Sequence, residues 1–419
     1  MRKEREILKG YEYAKEVYGE LGVDIDAAIA AVDAVPISMH CWQGDDFHGT
    51  DAESLSGGIA VTGNYPGCAR NCDELRADFT KALTLIPGAT KLNLHSNYAE
   101  SDGKKADRNT ITVEHFSRWI DFAKENKLGL DFNPTFFSHP YMDGNFTLAS
   151  TNEGVRNFWI EHGKRCREIG EAMGRALGDV CIVNYWMPDG FKDVPAATGK
   201  YRRIMAESLD EIFRMPLDDR YVQEAVECKL FGFGIESYTV ASHEFSYGYA
   251  MSRKKIYCLD FGHFHPTESI ADKISAAMLF TPGVLLHVSR GVRWDSDHVP
   301  VYDDELQRIM REVVTGGYLN RTHIAQDYFD GSINRLACWT IAMRNTRRAL
   351  LKAMVDPIQE FVRAEDEGKL TKRLVLLEES KALPMSAVWD YYCYKSGKPV
   401  GLDWYAEVEN YEREVLSKR

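Results

Sequence analysis

Acidic and histidine side chains gather in one stretch of the sequence. Within 38 residues stand Asp260, His263, His287, Asp295 and Asp297. The first three lie on, or just beyond, short aliphatic runs that are typical of buried strands. A buried carboxylate is costly unless a cation neutralises it, and a divalent metal is the obvious partner. The stretch therefore predicts a metal site built at the ends of several strands.

Three more groups extend this pattern along the chain. Glu227 and Lys229 have the period-2 spacing of side chains on one face of a strand, and Asp327 falls in a later apolar run. Each candidate also has an ordinary structural interpretation. Asp260 could cap a helix, His287 could be a core histidine, and Glu227 with Lys229 could be an internal ion pair. The case for a metal rests on their number, because no comparable set of strand-borne Arg or Lys balances the carboxylates.

Counting ligands divides the candidates into two sites. One could be closed and drawn from strands five to eight: Glu227, Asp260, His287 and Asp327. The other could be more open and lie just beyond strand ends: His263, Asp295 and Asp297. A solvated turn is the alternative for the 295–297 segment. Oxygen-rich sites with one imidazole favour Mn²⁺, Mg²⁺ or Co²⁺ over thiolate-bound Zn²⁺.

The elements that must position these groups alternate between strand and helix. The predicted strands are 36–42, 91–97, 128–134, 180–186, 225–231, 256–261, 284–289 and 323–328. An amphipathic helical stretch follows each of them, which predicts an α/β fold, a parallel (β/α)₈ (TIM) barrel. We expect the barrel over 1–354, with an N-terminal helix at 3–34, and a helical C-terminal extension over 355–419. A six-stranded doubly wound sheet is the alternative, but it would gather its polar residues at one switch point.

Composition excludes several classes of partner. A net charge of −12 argues against a nucleic-acid ligand, which needs a concentrated basic face. No apolar run approaches the roughly 20 residues of a membrane span, and the N-terminal residues lack the apolar core of a secretion signal. We therefore expect a cytoplasmic protein with no membrane partner. The nine cysteines are scattered and odd in number, which favours reduced thiols over a disulfide scaffold.

The remaining polar and aromatic candidates suggest a sugar substrate. Lys229 beside a metal would polarise a carbonyl oxygen, while Trp42 and Trp186 would pack on sugar C–H faces. His95, at the end of the second predicted strand, could move a proton during ring opening, or simply be a structural hydrogen-bonding group. This set suits an aldose–ketose isomerase. The alternative is a two-metal hydrolase or endonuclease on the same barrel type.

Four of the long motifs in this chain are Ser38-Met-His-Cys-Trp-Gln-Gly-Asp-Asp46, Trp186-Met-Pro-Asp-Gly190, Gly262-His-Phe-His-Pro-Thr-Glu268 and Val292-Arg-Trp-Asp-Ser-Asp-His-Val299. The motifs resemble those of one known family, the L-rhamnose isomerases. The similarity covers nearly the whole chain. It implies a barrel related to xylose isomerase, a homotetramer, and reversible conversion of L-rhamnose to L-rhamnulose. It also implies two divalent metal ions per subunit, Mn²⁺ first, with Co²⁺, Zn²⁺ or Mg²⁺ as alternatives.

The resemblance also assigns residue roles. Structural-metal ligands fall on Glu227, Asp260, His287 and Asp327, and catalytic-metal ligands on His263, Asp295 and Asp297. Lys229, His95 and Asp327 are the expected catalytic groups, and Trp186, Trp42, His95 and Lys229 the expected substrate contacts. The 47–56 segment looks shorter than in relatives, which puts the preference among aldoses in doubt. The hypothesis is a metal-assisted 1,2-hydride shift on the open-chain sugar, with an enediol route as the alternative.

The assignment of Asp295 to the working metal predicts the effect of one substitution. Asp295→Asn should abolish turnover, because an amide replaces an anionic ligand, and should leave the fold intact. Steady-state assays beside a circular dichroism spectrum check this. Near-normal activity would refute the assignment.

Overall fold

Eight parallel strands close into a barrel in the computed structural model, which describes residues 3–40, 63–101, 105–230, 237–292 and 298–419. The strands are β1 Ile37–His40, β2 Thr90–His95, β3 Gly129–Asn133, β4 Cys181–Tyr185, β5 Gly190–Phe191, β6 Val222–Glu227, β7 Tyr238–Thr239, β8 Ile256–Asp260, β9 Val284–Val288 and β10 Thr322–Gln326. The barrel order is β1-β10-β9-β8-β6-β4-β3-β2. The short β5 and β7 pair antiparallel outside it. The predicted (β/α)₈ barrel is confirmed.

Helices surround this barrel and continue beyond it. They are α1 Glu4–Glu20, α2 Ile25–Ala34, α3 Cys72–Leu83, α4 Ser117–Asn126, α5 Glu153–Leu177, α6 Thr198–Ile212, α7 His243–Arg253, α8 Ala271–Phe280, α9 Asp304–Thr315, α10 Arg335–Val355, α11 Ile358–Asp366, α12 Leu370–Ser380, α13 Met385–Lys395 and α14 Asp403–Glu414. Short 3₁₀ turns occur at Ser96–Tyr98, Arg108–Thr110, Val113–Phe116, Leu319–Arg321 and Leu416–Lys418. Within the described ranges, none of these helices has the length and apolar character that crossing a bilayer requires.

The N-terminal segment differs from its prediction as a single helix. The chain breaks between α1 and α2, where Gly22 has a left-handed φ of 74°. Asp24 then begins α2, because its side chain accepts hydrogen bonds from the backbone N–H groups of Asp26 and Ala27. Glycine followed closely by a capping aspartate was the sequence signal for this break.

Two predicted strand ends are also displaced. The fifth barrel strand, predicted over 225–231, runs from Val222 to Glu227, so Lys229 lies beyond it. The backbone N–H of Lys229 bonds instead to the carbonyl of Ala241, outside the barrel. The last strand ends at Gln326, one residue before Asp327, although the N–H of Asp327 still reaches the carbonyl of Val288.

The helices after residue 355 pack largely on the same chain. In α13 the ring of Tyr391 stacks on Tyr11 of α1, with centroids 3.6 Å apart, and Trp389 lies beneath Arg344 and Arg348 of α10. Arg419 forms an ion pair with the buried Asp78 of α3 at 2.7 Å. These contacts agree with an arm lying on the barrel. Its status as a separate unit over 355–419 stays a prediction.

Helix α5 approaches the barrel so closely that glycine is required on its inner face. A Cβ at Gly174 would lie 1.9 Å from the carbonyl oxygen of Tyr221, which directly precedes β6. A Cβ at Gly170 would lie 2.4 Å from a methyl group of Val183 in β4. The two strands that α5 covers carry Asn184 and Glu227 at their far ends.

Alanine substitutions in two helices should therefore act in opposite directions. Gly174→Ala should lower the free energy of unfolding by about 2 kcal/mol or more, because the methyl group meets rigid backbone. Gly248→Ala in α7 meets nothing within 4 Å and should raise it by about 0.5–1 kcal/mol through helix propensity. Thermal and urea unfolding of both variants tests this. Equal effects would contradict the close packing of α5.

Candidate metal centre

Strand alternation stacks two kinds of side chain inside the barrel. An apolar set forms a buried cluster separate from the core between barrel and helices, and includes Ile182, Ala225, Cys258, Leu285 and Ala325. Two residues further along the same chain segments come Asn184, Glu227, Asp260, His287 and Asp327. Because successive inward-facing positions on a strand are two residues apart, these polar groups converge on the carboxyl-end mouth, where active sites of such barrels lie.

Four of these groups are close enough to hold one ion. A carboxylate oxygen each from Glu227, Asp260 and Asp327 and a ring nitrogen of His287 all lie within 4.8 Å of one another. His287 Nδ1 is 2.9 Å from Asp327, 3.4 Å from Glu227 and 3.7 Å from Asp260. The structure thus brings together the four residues predicted for the closed site. Their role as metal ligands stays a prediction.

Neutral groups orient these carboxylates. The backbone N–H of Gly262 donates to Asp260 Oδ1 at 2.7 Å, and the side-chain amide of Asn184 donates to Glu227. His40 Nε2 lies 3.4 Å from Asp327 Oδ1. Burial lowers the pKa of His40 to about 4, so its ring is neutral near neutral pH and can donate one N–H to Asp327. Such partners fix ligand direction without removing the negative charge.

The cluster as a whole requires a positive charge. Burial alone would lower the pKa of His287, but Cys258, Glu227 and Asp327 raise it well above 6.5. A proton on His287 is one way to balance the facing carboxylates, and a divalent cation is another. Three carboxylates and one imidazole form an oxygen-rich donor set that suits Mn²⁺, Co²⁺ or Mg²⁺, so the residues present fit the expected metal.

His263 joins this cluster to the second predicted site. Its Nδ1 lies 3.3 Å from Glu227 Oε1, and its side chain is buried. The other predicted ligands of that site, Asp295 and Asp297, lie outside the described residues. Of the three ligands predicted for the open site, His263 alone belongs to the described residues, and it lies at the edge of the closed site.

Lys229 and Trp186 form one wall of the mouth. The buried Lys229 ammonium donates to the carbonyl of Pro188 at 2.6 Å and lies 6.0 Å from the Trp186 ring centroid. Phe137 meets the Trp186 ring edge to face at 5.7 Å. The predicted substrate contact Trp42 lies outside the described residues. Lysine and aromatic surface are thus adjacent, as the predicted sugar site requires.

His95 packs between His40 and Phe137, whose ring also meets Trp186. The His95 and His40 ring centroids are 5.3 Å apart, and His95 Nδ1 is 3.3 Å from Thr135 Oγ1. Burial, reinforced by the neighbouring His40, lowers the pKa of His95 well below 6.5. The ring is therefore neutral.

Sequence reasoning missed His40 and Asn184. Both residues stand on predicted strands, and their signal was a polar side chain within an apolar run. Asp189, in the segment after β4, is fully buried and accepts hydrogen bonds from the backbone of Thr147 and Ala149. It holds the loop after β4 rather than facing the cluster.

Fold and cluster together define a (β/α)₈ barrel with a candidate metal-binding site at its mouth. The family model described as L-rhamnose isomerase (RhaA) matches residues 5–419. The chain belongs to the L-rhamnose isomerase family and is an aldose–ketose isomerase. The hydrolase or endonuclease alternative finds no support in this full-length match.

Individual relatives agree along their whole length. The chain is 54% identical to L-rhamnose isomerase of Rhodopirellula baltica over 421 residues, covering 100% of this chain and 98% of that protein. It is 53% identical to L-rhamnose isomerase of Listeria innocua over 422 residues, covering 100% of both. Among solved structures it is similar to D-allulose 3-epimerase from Methylomonas sp., with 12% identity, a TM-score of 0.48 and coverage of 76% of this chain and 99% of that one.

Removing one carboxylate should weaken metal binding. Asp327→Asn should lower Mn²⁺ affinity by about 10- to 100-fold or more, because an anionic donor is lost from a set of four. Asp272→Asn is the matched control, since that carboxylate is 65% exposed on α8. Calorimetric titration with Mn²⁺ measures both. Equal affinities in the two variants would show that Asp327 is not a ligand.

Proposed function

We propose that this enzyme interconverts L-rhamnose and L-rhamnulose at the mouth of its barrel, using two divalent metal ions per subunit. The single observation that carries the proposal is the convergence of Glu227, Asp260, His287 and Asp327 within 4.8 Å. The names of the full-length relatives support the choice of sugar. Mn²⁺ is the preferred metal, with Co²⁺, Zn²⁺ and Mg²⁺ as alternatives.

The two ion sites would divide the ligands between them. Glu227, Asp260, His287 and Asp327 would hold the structural ion, and His263, Asp295 and Asp297 the working ion. The contact between His263 and Glu227 supports adjacent ions. Divalent ions at this position supply charge that polarises the sugar oxygens during reaction.

Lys229 is proposed to act on the substrate carbonyl. Its ammonium is held by the Pro188 carbonyl and is buried, where a positive charge interacts strongly with negative charge developing on oxygen. Trp186, beside it, provides an aromatic face on which sugar C–H groups can pack. Together these two side chains would orient C1 and C2 of the open-chain sugar toward the carboxylates.

His95 is proposed to assist ring opening. Its neutral imidazole can accept a proton from a ring hydroxyl, and Thr135 orients the ring. Of the four clustered groups, Asp327 has the most exposed side chain, at 18%, so its carboxylate lies nearest to solvent. This carboxylate would therefore face the bound sugar as well as the metal ion. A homotetramer and a cytoplasmic location remain predictions from the sequence and its family resemblance.

The isomerisation itself is proposed to be a 1,2-hydride shift. Hydrogen at C2 moves with its electron pair to C1, the O2 proton leaves, and O1 gains a proton, so the aldose becomes a ketose without loss of atoms. In an enediol route the C2 hydrogen instead leaves as a proton, and C1 takes one from a base that exchanges with solvent. The origin of the hydrogen at C1 distinguishes the two.

Turnover of L-rhamnose in heavy water tests both the reaction and its route. Metal-loaded enzyme should form L-rhamnulose with little deuterium at C1, because a transferred hydride does not exchange with solvent. Proton NMR and mass spectrometry of the ketose measure this. Substantial deuterium at C1 would contradict the hydride shift, and failure to form ketose would contradict the proposed substrate.

A further inference from the structure

A thiol lies directly beside the carboxylate cluster. Cys258 of β8 is the register partner of Glu227 in β6, and it belongs to the buried apolar cluster inside the barrel. The same strand places Asp260 two residues further along, opposite His287 of β9. The soft sulfur atom is therefore one inward-facing position deeper than the carboxylate of Asp260.

This thiol shares a second ligand geometry with two members of the cluster. Ligand atoms of Glu227, Cys258 and His287 all lie within 4.8 Å of one another, and the three residues are 2%, 0% and 1% exposed. Both ring nitrogens of His287 are buried without a hydrogen bond of normal geometry among the described residues; Nδ1 faces Asp327 at 2.9 Å, and the Cys258 thiol approaches the ring. A buried imidazole within ligand distance of a thiol and a carboxylate is an arrangement that a metal ion would satisfy.

We propose that Glu227, Cys258 and His287 form a second, thiol-containing metal site that takes a strongly thiophilic divalent ion such as Cd²⁺. It shares Glu227 and His287 with the closed site, so the two ligand sets are alternatives for one ion. The proposal rests on the proposed function only through these shared residues. Oxygen-loving ions use Asp260 and Asp327, whereas thiophilic ions use the sulfur.

Ligation by the thiol is a balanced exchange of a proton for the metal ion. The S–H bond breaks, the sulfur keeps the electron pair and bonds to the metal, and the proton passes to solvent. Thiophilic ions gain most from the new bond, because their affinity for sulfur exceeds that of oxygen-loving ions.

A consequence for the enzyme follows from the overlap. An ion held by Cys258 lies deeper in the barrel and draws Glu227 and His287 away from the ligands at the mouth. Cd²⁺ should therefore exclude Mn²⁺ from the closed site rather than replace it as an active metal. The proposal therefore predicts that Cd²⁺ inhibits the Mn²⁺-loaded enzyme.

Cadmium absorption spectroscopy tests the proposal, because a Cd–thiolate bond produces a charge-transfer band in the ultraviolet. The full chain is used with Cys68→Ser throughout, since Cys68 and Cys72 are the closely spaced pair in the sequence. Cys258→Ser and Cys258→Ala are compared with Cys181→Ser. Cys181 is a matched buried strand thiol that faces α5, since a Cβ at Gly170 would lie 3.5 Å from its sulfur.

The parent should show the band with one equivalent of Cd²⁺, both Cys258 variants should lose it, and Cys181→Ser should keep it. Cd²⁺ affinity in the Cys258 variants should fall by about tenfold or more. No band in the parent, or a band that persists without Cys258, would overturn the proposal. The parent spectrum alone decides the first outcome even where a Cys258 variant does not fold.

Asp327→Asn separates this proposal from the proposed function. Asp327 belongs to the four-residue set but not to the thiol set. The variant should therefore keep the Cd–thiolate band while Mn²⁺ binding weakens. Loss of the band would contradict the proposal that the thiol set binds Cd²⁺ without Asp327. Unchanged Mn²⁺ affinity with the band intact would instead count against the proposed closed site alone.

Discussion

Repulsion among three carboxylates in a barrel mouth is the constraint on which the rest of this structure depends. Glu227 and Asp260 are almost fully buried, and Asp327 is only partly open to solvent. Charges so placed are stable only with a cation or a proton among them. The neighbouring Asn184 amide and His40 ring are neutral, so they do not supply this charge. The requirement for added positive charge is what makes this mouth a candidate metal site.

The barrel holds these charges at fixed separation through packing rather than through the cluster itself. Helix α5 lies against β4 and β6 at glycine distance, so neither strand can move outward without clashing with the helix. On the other side, the buried Arg347 of α10 donates to the carbonyls of Val32 in α2, the helix before β1, and of Ala89, which directly precedes β2. Repulsion that would spread the strand ends is thus opposed by a close-packed shell.

Buried polar groups give the mouth loops a comparable rigidity. Arg108 donates to the carbonyls of Thr135, Phe137 and Ser138, and so fixes the loop that carries one aromatic wall. Asp189 accepts hydrogen bonds from the backbone of Thr147 and Ala149, and so fixes the loop after β4 that carries Trp186. Neither residue faces the cluster. Their charges are used to satisfy loop backbone that would otherwise be buried without hydrogen bonds.

The sequence by itself determined the fold class, the family and the composition of the closed cluster. Alternating strands and helices predicted the barrel, because the period of apolar residues is local information. The family followed from long motifs such as Gly262 to Glu268. Glu227, Asp260, His287 and Asp327 were predictable together because a carboxylate or imidazole in an apolar strand is expensive, and four of them share one end of the predicted barrel.

Only the tertiary structure decided which of these groups touch and what surrounds them. The pairing of Glu227 with Cys258, the approach of His263 to Glu227, and the support from His40 and Asn184 depend on strand register. Register is set by shear and by side-chain packing between strands distant in sequence, which no local pattern encodes.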